Sequence, residues 1–116
     1  MAVVESAYGT SRFATEGNAL FGVRTWDDKV PQMKPLGIPN AKFGVKKYKT
    51  KCQSVKDMIR ILNNHPAYAE FRAERDLQVE EGKWNYPSLL ALINAWSTTP
   101  DYGNIIHKTI LDRKLP

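Results

Sequence analysis

A chain of 116 residues, 42% hydrophobic and 25% charged, holds enough apolar material for one modest core but too little for two, which excludes a disordered chain. Its net charge of +5 calls for an anionic partner, met equally by cell-wall glycan with its carboxylates and phosphates or by nucleic acid. No apolar run approaches the ~20 residues of a membrane span, and the single cysteine, Cys52, excludes an internal disulfide and a thiolate metal cluster.

In chain order, the apolar Ala2-Val3-Val4 precedes Glu5, and Gly9 and Gly17 break the chain before Leu20 and Phe21 restart a strand-like segment. A helix over Met1–Tyr8 is expected, about 12 Å long. Glu5 then lies where a helix gives way to loop and sheet, a cleft position. Apolar neighbours disfavour the charged form of a carboxyl, which is the condition for a proton-donating acid.

Strands are expected over Leu20–Thr25 and Phe43–Lys49, joined by an irregular loop in which Pro31, Pro35, Gly37 and Pro39 interrupt any regular element. Lys42, Lys46, Lys47, Lys49 and Lys51 flank Phe43 and Tyr48, a pattern able to track phosphates and stack bases. It reads here as the solvated face of a β lobe with polyanion attraction as a by-product, so no specific nucleic acid is expected.

Val55, Met58, Ile59 and Leu62 recur at helical spacing, and Ser54 with Asp57 makes a capping pair, predicting a helix over Ser54–Asn64. A second helix begins at Pro66, capped by His65, and runs to about Glu80 before Gly82 stops it. Leu89, Leu92, Ile93 and Trp96 predict a third over Pro87–Ser97, with Trp84 and Tyr86 packed as a staple at its start. Tyr102, Ile105, Ile106 and Ile110 predict a fourth, with Asp101 as its N-cap. These last two helices are expected to form the core of a single α+β, mainly α, domain over residues 1–116.

Neither His65 nor His107 has metal-ligand spacing with other His, Cys or acidic residues, so no metal is assigned. Gly9, Gly17 and Gly22 lack the Lys and Ser/Thr of a phosphate loop, and no cofactor is assigned. Neither a basic n-region nor an apolar h-region opens the chain, so no signal peptide is expected. Localisation stays open among a phage product, a virion component and a truncated periplasmic protein.

The run Glu5-Ser6-x-Tyr8-Gly9-Thr10-Ser11-Arg12-Phe13-Ala14, then Asn18-x-Leu20-Phe21-Gly22, resembles the signature of the bacterial Bax-type glucosaminidases, part of the endo-β-N-acetylglucosaminidase family that cuts peptidoglycan. Cys52-Gln53-Ser54-Val55 and Leu62-Asn63-Asn64-His65-Pro66-Ala67-Tyr68-Ala69-Glu70-Phe71-Arg72 are similar to that family's central helical segment. The resemblance implies a lysozyme-like helical fold with a small β lobe, peptidoglycan glycan strands as partner, and Glu5 as the catalytic acid.

For the second group of a glycosidase, the β lobe offers Asp27 and Asp28. Either serves, or the substrate's own N-acetyl group assists, or the chain does not turn over. Tyr8, Trp26, Tyr48, Trp96 and Tyr102 are the rings on which sugar faces could pack, and Ser11 and Phe21 of the motif complete the substrate-contact set. Trp96 stands where relatives carry a Tyr, keeping a stacking surface without the phenolic hydroxyl. Relatives also carry more helix ahead of the motif, so a protein partner supplying that helix is a further expectation. The alternative is a non-catalytic glycan-binding or structural module, such as one of a phage particle.

Overall fold

The computed structural model describes residues 1–114; the last two residues of the expected 1–116 domain lie outside the described residues. The fold is α+β and mainly α, with one small antiparallel sheet. It divides into two compact units, Met1–Ile59 and a second that begins at Arg60.

The first unit opens with α1 (Ala2–Glu5) and α2 (Arg12–Gly17). Three short strands come next, β1 (Arg24–Thr25), β2 (Gln32–Met33) and β3 (Gly44–Lys46). The central strand is β3: Arg24 pairs with Val45 on one side, and Gln32 with Lys46 on the other, both antiparallel. The strand β2 lies inside the stretch expected to be irregular. Pro31 bounds it without breaking the ladder, because a proline lacks a donor but still accepts, here from the Lys47 N–H at 3.0 Å. Ala14, Ala19, Phe21 and Val45 form this unit's apolar core, with Ser6, Thr25 and Ser54 buried among its polar groups.

Helix α3 (Lys51–Asn64) begins three residues earlier than Ser54. Thr50 caps it instead, its Oγ1 accepting the Gln53 N–H at 3.2 Å, while the Gln53 side chain returns to accept the Lys49 N–H at 3.1 Å. Two donors at the helix start are thereby satisfied. Ser54 lies inside the helix, where its hydroxyl donates to the Lys51 carbonyl at 2.7 Å.

In the second unit a 3-10 turn, Pro66–Tyr68, leads into α4 (Ala69–Glu81). His65 caps that turn as expected, Nδ1 accepting the Ala67 N–H at 3.1 Å, and Gly82 ends α4. The predicted helix over Pro87–Ser97 is instead α5 (Tyr86–Leu90) and a separate 3-10 turn, Asn94–Trp96. The break is explained by the approach of α6 (Tyr102–Asp112): a β-carbon on Gly103 would lie 2.7 Å from the Leu90 carbonyl carbon, so α6 crosses where α5 ends.

Asp101 stands at the N-cap position of α6 as expected, but its side chain does not cap the helix. It adopts φ +56 and makes no side-chain cap bond, whereas Asn94 Oδ1 accepts the Gly103 N–H at 3.0 Å. Trp84 and Tyr86 are 53% and 40% exposed, which rules out the expected staple. Asn85 starts α5 and is held by Gln78, a buried amide that accepts its N–H at 2.8 Å and donates to its carbonyl at 3.1 Å. Leu89, Ile93, Tyr102 and Ile106 are buried as the spacing predicts, joined by Tyr68. Among the described residues, no helix is long and apolar enough to cross a membrane.

Candidate functional site

Ala2, Val3, Val4 and Glu5 make a single helical turn, and Ser6 both ends it and organises the next five residues. Ser6 is buried; its hydroxyl donates to the Ala2 carbonyl and accepts the Gly9 N–H at 2.9 Å. Its carbonyl accepts the Ser11 N–H at 3.0 Å. This closes a loop in which Ala7, Tyr8 and Gly9 are all left-handed, at φ +49, +61 and +80. Glycine adopts that conformation freely, but Ala7 and Tyr8 each cost about 1–2 kcal/mol. The hydrogen bond from Tyr8 N–H to the Val3 carbonyl, 3.0 Å, helps to hold the strained run.

Glu5 is half-buried at the base of this loop. Its carboxylate makes no hydrogen bond or ion pair with the described residues, and its Oε2 faces Gly22, which holds φ +64. Burial lowers the pKa of the Met1 amino group, while the Glu5 carboxylate raises it.

The remaining candidates separate into exposed and structural groups. Tyr8 and Trp26 are 61% and 67% exposed. Trp26 packs on Phe43 at 6.2 Å between centroids, and the Arg24 guanidinium covers Phe43 at 4.6 Å. Asp27 and Asp28 come directly after Trp26 in the exposed turn between β1 and β2. Asp27 Oδ1 accepts the Lys29 N–H at 3.0 Å, whereas Asp28 has no hydrogen-bond or ion-pair partner among the described residues.

Three of the expected substrate contacts have structural roles. Ser11 is the N-cap of α2, its Oγ accepting the Ala14 N–H at 3.2 Å. Phe21 and Tyr102 are buried in the cores of their units, 5% and 2% exposed, so their rings present no face to a sugar. Trp96 belongs to the second unit and packs on Tyr68, 6.0 Å between centroids.

Tyr48 has an unexpected partner. Its hydroxyl donates to Asp57 Oδ2 at 2.6 Å, and the Lys46 ammonium binds the same oxygen at 2.9 Å. The Asp57 side chain is 10% exposed, so β3 and the segment after it are tied to α3 through a nearly buried charge that accepts from both. Reading Asp57 as half of a capping pair conceals this. The spacing Lys46-x-Tyr48 does signal it, because alternate residues of an extended segment share a face.

The chain belongs to the mannosyl-glycoprotein endo-beta-N-acetylglucosaminidase family, whose sequence pattern matches residues 1–115. It is similar to Protein bax of Escherichia coli (strain K12), 33% identical over an alignment of 116 positions that covers 98% of this chain and 40% of that protein. The chain thus spans well under half the length of this curated relative. No solved structure matches it.

Proposed function

We propose that this chain is a peptidoglycan hydrolase, an endo-β-N-acetylglucosaminidase that uses Glu5 as its general acid. One observation carries the reading: the family match runs through residues 1–115, and at its motif Glu5 is a half-buried carboxylate with no hydrogen-bond or ion-pair partner among the described residues. A half-buried carboxyl beside the motif loop is placed to give a proton to a leaving group. That the match runs through both compact units supports one functional domain rather than two.

In this mechanism the glycan lies over the loop that begins after Glu5. Glu5 gives its proton to the glycosidic oxygen as the bond from C1 of N-acetylglucosamine breaks. Asp28, or Asp27 through its remaining oxygen, takes a proton from the water that adds to C1. If neither acid reaches C1, the substrate's acetamido oxygen attacks instead and water opens the resulting ring. Tyr8 and Trp26 offer apolar faces to neighbouring sugars.

Purified sacculi incubated with the chain test this reading. Wild type is expected to release soluble muropeptides, and Glu5→Gln to lose that release while still sedimenting with sacculi. Binding without release by the wild type would overturn it.

A further inference from the structure

The backbone from Lys47 to Lys49 is fixed from several directions. Lys47 N–H donates to the Pro31 carbonyl at 3.0 Å, Tyr48 N–H to the Gly17 carbonyl at 2.8 Å, and Lys49 N–H to Gln53 Oε1 at 3.1 Å. Asn18 Nδ2 donates to the carbonyls of Tyr48 and Lys49, at 3.0 and 3.1 Å. Lys46, Tyr48 and Lys51 are also engaged through their side chains, on Asp57, Asp57 and Asn18. The ammonium groups of Lys47 and Lys49 differ: neither has a hydrogen bond or ion pair among the described residues.

These two lysines border an open depression of about 590 Å³, together with Glu16, Pro31, Tyr48 and Gln53. Glu5 is not among the residues that line it. The Glu16 carboxylate is 63% exposed and only loosely paired with Arg12, at 3.9 Å, so it remains available to a cation. The lining thus offers two cations, one anion, an amide whose oxygen is already taken, and a small apolar surface, all on a frame that needs no ordering when a ligand arrives.

We propose that this depression binds the peptide stem of peptidoglycan, a short peptide with at least two carboxylates and a free amino group. Lys47 and Lys49 meet the carboxylates, Glu16 meets the amine, and the Gln53 side-chain N–H donates to a peptide carbonyl. A uniformly phosphorylated polymer fits less well, because Glu16 repels it. The proposal rests on the reading of the chain as peptidoglycan-directed, and it adds a peptide contact to a site defined by glycan.

Titrating the isotope-labelled full chain with a synthetic stem tetrapeptide, up to about 10 mM, tests it by amide chemical shift. Saturable shifts are expected over residues 47–53. Lys47→Gln with Lys49→Gln should weaken binding about tenfold or more, and acetylating the peptide's free amine should remove the contribution of Glu16, so that Glu16→Gln then has no further effect. Absent shifts, an affinity unchanged by the double substitution, or inorganic polyphosphate outcompeting the peptide would each overturn the proposal. Hydrolysis is not needed for this readout. Peptide binding without muropeptide release would sink the hydrolase reading and leave this one standing; release without peptide binding would do the reverse.

Discussion

Oε2 of Glu5 lies 3.6 Å from the point that a β-carbon on Gly22 would occupy, so the acid rests on bare backbone. Gly22 is also left-handed, at φ +64. Alanine there meets the carboxylate at ordinary van der Waals distance, and its cost is conformational, about 1–2 kcal/mol. Gly22→Ala is therefore expected to lower the melting temperature and keep most activity. Gly22→Val brings branches into the space of the carboxylate and should lose more activity than its stability accounts for. Thermal unfolding and muropeptide release, measured on both variants, separate the two effects.

Glu5→Asp retains the carboxyl group and shortens the side chain by one methylene. Displacing a proton donor by about 1 Å costs on the order of 10²-fold in rate. A fall of that size in kcat with KM held is expected from release assays on sacculi. An unaffected kcat would show that Glu5 does not touch the reacting bond.

Tyr48→Phe removes a donor from a carboxylate that is 10% exposed. Hydrogen bonds to charged groups contribute about 1.5–3 kcal/mol, and a loss in that range is expected from urea unfolding. Asp57→Asn should cost a comparable amount, because it leaves the Lys46 ammonium without its counter-charge. The double substitution should cost less than the sum of the singles, since both remove the same contact.

Much of this was legible in the chain. Helical spacing located α3, α4 and α6, and the motif from Glu5 to Gly22 pointed to the family. Short-range chemistry was also readable where one residue decides it, as with His65 capping its turn and Gly82 ending α4. What escaped depended on partners distant in sequence. Nothing local to Pro87–Ser97 announces that Gly103 will press on the Leu90 carbonyl and end the helix there. Ser11 and Phe21 were inseparable from the motif by sequence, although one caps a helix and the other fills a core. A family pattern carries the residues a loop needs to fold together with those the substrate touches, and only burial tells them apart.

Tyr68 gives a prediction in pH. It is 4% exposed, and desolvation raises its pKa above the ordinary tyrosine value of 10.0. Below that value the hydroxyl is neutral both folded and unfolded, and its contribution to stability is intact. As pH rises past about 10 the unfolded chain ionises first, and stability falls until the folded pKa is passed. Tyr68→Phe cannot ionise, so its stability relative to wild type should improve across this alkaline window. Urea unfolding of both proteins between about pH 9 and pH 12, at intervals of about half a unit, checks it.

Asn94 and Asp101 give opposite expectations at the start of α6. Sequence rules favour Asp101 as the cap, yet it sits at φ +56 and makes no side-chain cap bond, while Asn94 accepts the Gly103 N–H from nine residues away. A lost cap costs about 0.5–2 kcal/mol. Asn94→Ala should lose stability in that range, since it also releases the 3-10 turn from the helix it caps. Asp101→Ala removes no bond, although alanine tolerates the left-handed position less well than aspartate, so a small loss is expected. Asp101→Gly removes that penalty and should match or exceed wild-type stability. A larger loss for Asp101→Gly than for Asn94→Ala would mean that the aspartate caps α6 after all, and with it that the break after Leu90 has another cause. Gly103→Ala provides the independent check: its added methyl meets the Leu90 carbonyl, which backbone cannot easily yield, and it should destabilise more than either cap substitution.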